Sequence, residues 1–204
     1  MERIDRAALN AIYAEYAKDK AFKQLKHNGN GRTLLVEGEG ANPRVFIAGE
    51  APGATEAIYG RPYAGRAGLV LRRLMEQANL FTIDSILDGT MVRGNCWLTN
   101  TIKYRPPGRQ PWMDEIQASR PYLVREWMAV GEPSVIVCVG VAAYIAVLGT
   151  HPTGRRMGVP QEGENGRVIW PMFSPTYGMR SEGIRPAMEV HWRALGKWLD
   201  DRNS

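Results

Sequence analysis

Residues 49 to 68, GEAPGATEAIYGRPYAGRAG, place one carboxylate, Glu50, at the head of a glycine- and proline-rich loop. An apolar run, RVFIA, leads into the loop, and a helical pattern follows it. Gly49 and Gly53 permit positive φ and close backbone approach, and Pro52 stiffens the turn. Three kinds of chemistry compete for such a loop. It is a tight strand-to-helix connection with a solvated glutamate, or a phosphate cradle, or a carboxylate held rigidly beside a reacting centre. The cradle is disfavoured: no GxxxxGK[ST] follows, the spacing is not GxGxxG, and a negative Glu50 would repel a phosphate. The residues alone leave the other two open.

The elements that must position this loop alternate. RVFIA (44–48), CWLT (96–99), VIVCV (135–139) and VIWPMF (168–173) read as short buried strands. Between them Ala67, Val70, Leu71, Leu74, Met75 and Ala78 share one helical face. Ile116, Leu123 and Trp127 share another, in a helix opened by Pro111 and closed near Gly131. Met188, Trp192, Leu195 and Leu199 share a third, at the C-terminal end. The first 25 residues read as an extra helix laid on this core. Pro171 marks a bulge or an edge. The pattern predicts an α/β three-layer sandwich with a central, mostly parallel four-stranded sheet flanked by helices, built as one domain over 1–204. In such sheets ligands bind outside the carboxyl ends of the strands. There the strands run into Gly49–Gly53, into Asn100 and into Ser174–Gly178, so three unusual loops are expected on one rim.

Composition narrows the class. The chain has 204 residues, a formal charge of +5 and 44% hydrophobic residues. The basic lean suits a polyanionic partner without requiring one. Cys96 and Cys138 lack CxxC spacing, which argues against a disulfide scaffold or a zinc site and for a reducing, cytoplasmic setting. His27, His151 and His191 are scattered and suggest no metal site. The N-terminus is charged and helical rather than a signal peptide. VIVCVGVAAYIAVLG is shorter than the roughly 20 residues of a membrane span, and Gly140 splits it into a strand and a helix. No membrane association is expected, and a monomer is.

The loop at 49–68 resembles the first motif of the uracil-DNA glycosylase superfamily in its family-four branch, GEAPGxxEDxxGxPFVGxAG. The resemblance runs from about residue 32 to 200. LTNTIKYRPPGRQP is similar to that family's ITNxxKCRPPGNRxP, EIQASRPYL to EIxxCxPYL, PSVIVCVG to its core strand, and FSPTYGMR stands where the family has HPSxxxR. The resemblance implies that Glu50 positions water or stabilises the sugar cation as the base leaves. It implies that Tyr63, at the family's Phe, stacks on a flipped base, and that Asn100 reads the Watson–Crick edge through an amide that both donates and accepts. Glu56 takes the acidic position that crowds C5 and turns thymine away, and Ala51 and Gly53 line the base site. A base inside a duplex is unreachable, so it must be flipped out and gripped in this way.

Two departures stand out. The family-four branch carries a four-cysteine iron–sulfur cluster, yet Tyr104 and Ser119 occupy two ligand positions and residues 20–32 contain no Cys. Such a cluster needs about four thiolates, so no cofactor is expected. Ser174 stands at the family's His, which hydrogen-bonds the base oxygen as charge develops there. A serine hydroxyl donates, but it is neutral and shorter. Around these positions Arg105 and Arg109 on the proline loop, Arg155 and Arg156 in TGRRMG, and Tyr177, Met179 and Arg180 after Ser174 suit a DNA surface, with Tyr177 or Met179 as a wedge.

The expected function is a monofunctional DNA glycosylase that hydrolyses the N-glycosidic bond of uracil, or of a uracil-like or modified pyrimidine, in single- or double-stranded DNA. No lysine amine nucleophile is expected in the motif loops. The alternatives are a catalytically weak DNA-binding protein that recognises a base or an abasic site, and a nucleotide-binding enzyme built on the same sheet order.

Overall fold

The computed structural model describes residues 4–26, 34–40, 43–80, 96–163 and 166–202. His27 and residues 27–32 of the cysteine-free stretch lie outside the described residues. Helix α1 (Arg6–Lys18) is capped by Asp5, whose carboxylate accepts from the Ala8 N–H at 2.9 Å, and a 3-10 segment, Lys20–Lys26, follows it. The helix expected over the first 25 residues is therefore broken at Asp19. The next elements are β1 (Glu39–Gly40), β2 (Val45–Gly49), α2 (Ala54–Tyr59), α3 (Arg66–Gln77), β3 (Cys96–Asn100) and α4 (Met113–Ala129). They are followed by β4 (Val135–Val139), α5 (Val141–Leu148), β5 (Gln161–Glu162), β6 (Val168–Met172), α6 (Pro175–Arg180) and α7 (Arg185–Asp201).

The sheet is mixed and six-stranded, in the order β1-β3-β2-β4-β6-β5. This corrects the expected four-stranded sheet. The four expected strands are mutually parallel, but two-residue antiparallel strands flank them on both edges. Glu39–Gly40 and Gln161–Glu162 are too short and polar to carry a period-2 pattern, so periodicity could not reveal them. β2, β3 and β4 are buried along their whole length. Both faces of a parallel sheet are covered, which is why these strands read as continuous apolar runs.

On one face Leu71, Leu74 and Met75 of α3 pack with Met188, Trp192, Leu195 and Leu199 of α7. On the other, Ile12 and Tyr13 of α1 pack with Ile116, Leu123 and Trp127 of α4 and with α5. Pro171 pairs with Cys138 on one side, while β5 covers β6 only at 168–169. The missing N–H of the proline thus costs no ladder bond beyond the reach of β5, and the Pro171 carbonyl accepts from the Gly158 N–H at 2.7 Å instead. At the end of β4, Gly140 has φ +94°, a conformation that lets the strand turn straight into α5.

Candidate active site

Parallel register sets the site. Gly49, the last residue of β2, lies opposite Asn100, the last of β3. The Thr101 N–H donates to the Gly49 carbonyl at 2.8 Å, and the Ile102 N–H to the Glu50 carbonyl at 3.0 Å. The loops that carry Glu50 and Asn100 are thereby laced together. They open with the Ser174 loop into one cleft of about 990 Å³, at the carboxyl ends of the strands.

Gly49 and Gly53 do not use positive φ, contrary to one half of the sequence-based expectation. Close approach is what Gly49 supplies. A Cβ there would stand 2.2 Å from the Tyr63 hydroxyl and 2.7 Å from Asn100 Oδ1. Tyr63 itself takes φ 53°, a strained choice for a non-glycine residue. The Arg72 guanidinium holds this turn by donating to the Tyr63 carbonyl at 2.8 Å.

Glu50, Ala51, Gly53, Glu56, Tyr63, Asn100, Arg105, Arg109, Ser174, Tyr177 and Arg180 all line the cleft. Glu50 is half-buried, and burial pushes its carboxyl above the usual range. The Asn100 side chain is buried at 3% exposure. Ser174 is the N-cap residue of α6, yet its hydroxyl makes no capping bond. Burial, and then the charges of Glu56 and Glu50, raise the Tyr63 phenol. Its oxygen is buried without a partner.

Other expected residues are more committed than their positions suggested. Glu56 is buried, and its Oε1 accepts from the Gly65 N–H at 2.8 Å, which pins the entry of α3. Arg109 grips Glu115 through two bonds, at 2.8 and 2.6 Å, and stacks 3.6 Å from the Trp112 ring centroid. It locks the proline loop onto the start of α4. Tyr177 is 50% exposed on the rim, tilted against Phe173. Met179 is half-buried, and Arg155 and Arg156 are exposed on a 3-10 turn; none of the three lines the cleft. Arg156 points to the Tyr144 hydroxyl (3.3 Å) and Gln161 (3.4 Å) instead.

A lysine does sit in a motif loop: Lys103, in NTIKYRPP. Its ammonium is fully buried and paired with Glu126, so it is not presented to the cleft as a nucleophile.

The residues at the implied cluster positions form a closed aromatic core. Tyr104 packs with Tyr16, Phe22, Leu25 and Ile102. Tyr16 stacks on Phe22 at 4.0 Å between centroids and meets Tyr104 at 5.9 Å. Ser119 is buried, and its hydroxyl donates to the Glu115 carbonyl at 2.9 Å. The two cysteines pack on opposite faces of the sheet. Burial pushes the Cys96 thiol up to about 12 and raises Cys138 further. This donor set does not fit an iron–sulfur cluster. Among the described residues no group of three or more His, Cys, Asp or Glu side chains is arranged to hold a metal ion. No helix among them is long and apolar enough to cross a membrane.

A cleft at the carboxyl ends of the parallel strands, lined by a half-buried carboxylate and a buried amide, defines a class. The chain belongs to the uracil DNA glycosylase superfamily, whose family model matches residues 37–195. It is similar to the type-4 uracil-DNA glycosylase of Sulfurisphaera tokodaii, at 38% identity over 80% of this chain and 74% of that protein. It is also similar to the type-4 uracil-DNA glycosylases of Saccharolobus solfataricus, at 29% identity over 95% of this chain and 88% of the relative, and of Thermotoga maritima, at 29% over 74% of each.

Proposed function

We propose that this chain is a DNA glycosylase that hydrolyses the N-glycosidic bond of uracil, or a uracil-like pyrimidine, flipped out of single- or double-stranded DNA. The observation that carries the proposal is the meeting of Glu50, Tyr63, Asn100 and Ser174 in one cleft at the carboxyl rim. As the C1′–N1 bond breaks, its electron pair stays with the departing base. The negative Glu50 carboxylate stabilises the sugar cation and orients the water whose oxygen bonds to C1′, and the proton this water sheds ends on the departing base. The Asn100 amide accepts from N3–H and donates to the neighbouring carbonyl. Tyr63 stacks on the base, and the free Ser174 hydroxyl donates to the base oxygen on which charge develops. Arg105 and Arg180 on the rim contact phosphates, and Tyr177 enters the stack. Incubation with oligonucleotides carrying uracil, hypoxanthine, xanthine and 5-substituted uracils, followed by detection of abasic sites, tests this function and identifies the preferred base.

The reading places the chain in a family-four-like branch without the cluster. It acts as a monomer, one domain over 1–204 with the N-terminal helical segment packed on it, and its two buried free thiols suit a reducing, cytoplasmic setting. With Tyr104 and Ser119 in a closed aromatic core, purified protein is expected to be colourless and free of stoichiometric iron. A chelator should leave its melting temperature unchanged. A visible absorbance band with bound iron would overturn this.

The Asn100→Asp variant tests base reading. The change trades the amide donor for a second acceptor and puts a charge beside the base. Loss of a well-placed bidentate contact costs about 1–3 kcal/mol, by analogy with groove readout. Uracil excision should fall roughly 10- to 100-fold at unchanged affinity for undamaged DNA. Excision at the wild-type rate would mean that the base lies elsewhere.

A further inference from the structure

Behind the cleft lies a buried ionic assembly that no catalytic step uses. Lys103 and Glu126 are both completely buried. The three N–H donors of the ammonium are all taken: by Glu126 Oε2, by the Thr99 hydroxyl, and by the main-chain carbonyl of Asn100 at 2.7 Å. Glu126 Oε1 in turn accepts from the Tyr13 hydroxyl at 2.7 Å and from Trp97 Nε1 at 2.9 Å. The Lys103 N–H donates to the Tyr16 hydroxyl at 3.0 Å. Tyr13 and Tyr16 belong to α1, which precedes the 37–195 segment matched by the family model.

Replacing such a pair with apolar residues is often neutral or stabilising, so a buried ion pair is weak support for a purely stabilising role. What this pair does locally is specific. Two of the three ammonium bonds end on Thr99 and Asn100, where β3 passes into its loop. The next two residues carry the bonds to the Gly49 and Glu50 carbonyls. Movement of Lys103 therefore shifts the Asn100 peptide and the Glu50 loop together. Nothing in the assembly reaches the cleft except through those peptides.

We propose that Lys103 is a positioning residue for Asn100, held in place by Glu126 and, through Tyr13 and Tyr16, by α1, so that a helix outside the matched segment sets base preference. This rests on the glycosylase reading above. The experiment measures affinity for a duplex carrying one non-hydrolysable 2′-fluoro-2′-deoxyuridine and for the same duplex carrying thymidine at that position. Wild type should prefer the uracil duplex. Lys103→Met should lose at least tenfold of that preference while affinity for the thymidine duplex stays within twofold. Asn100→Ala should lose a similar amount, and the double variant no more than either single one. Losses that multiply in the double variant, or a preference that survives Lys103→Met, overturn the proposal.

If Lys103→Met does not fold, Tyr13→Phe takes its place, because it removes one bond to Glu126 and leaves the ion pair intact. It should lower the preference at least threefold, and an unchanged preference overturns the proposal. A wild type without any preference sinks the glycosylase reading instead. Amide hydrogen exchange then still reads the strut. Faster exchange at Thr101 and Ile102 in whichever variant folds supports it, and unchanged exchange overturns it.

Discussion

Glu50→Ala is expected to lower single-turnover uracil excision by about 10³-fold, within the range that a positioned acid or base group contributes. Affinity for undamaged DNA should be unchanged. The carboxylate must be ionised to support a sugar cation, and burial raises its pKa above the usual range. The rate should therefore fall as pH drops through that raised value, with an acid limb above the ordinary glutamate value of about 4.3. Glu50→Gln should abolish the limb along with the rate. The same shift has a stability consequence. A carboxyl whose folded pKa is raised destabilises the fold in full above that pKa, and the cost fades as pH falls and vanishes below the unfolded value. Glu50→Gln should thus raise the melting temperature at neutral pH, and the gain should vanish in acid. Activity retained in Glu50→Ala, or a pH–rate profile flat into the ordinary carboxylate range, would remove Glu50 from the chemistry.

Ser174→His is expected to raise single-turnover uracil excision at least tenfold, equivalent to about 1.4 kcal/mol of barrier. Loss of one good oxyanion donor typically costs about 10²- to 10³-fold, so restoring one has room to act. The position suits a longer side chain. Ser174 caps α6 without a side-chain bond, and its Cβ lies 3.4 Å from where a Cβ on Gly140 would stand, so the glycine keeps that wall open. Adding Glu50→Ala to Ser174→His should remove the gain. A different result carries its own meaning. If Ser174 makes room for a bulkier base, histidine will suppress excision of that base and leave uracil excision low. If neither protein cuts any base while both bind DNA, the chain is a binding protein built on a glycosylase fold.

The chain by itself determined a good part of this protein. Continuous apolar runs marked β2, β3, β4 and β6 because a parallel sheet is buried on both faces. Period-3.6 stripes marked the faces of α3, α4 and α7 because each helix buries one side. The order of motifs placed Glu50, Asn100 and Ser174 at strand ends, where a parallel sheet gathers its loops. Periodicity reports only whether a local face is buried, and the tertiary structure decided the rest. It gave Arg109 to Glu115 and Trp112, Glu56 to the Gly65 amide, and Arg156 to the Tyr144 hydroxyl. It joined Lys103 to Glu126, a carboxylate on a helix whose own pattern names no partner. It also added β1 and β5, which exist only because longer neighbours offer them an edge. A polar side chain is committed or free according to which groups from distant segments reach it, and those meetings arise only when the helices dock on the sheet.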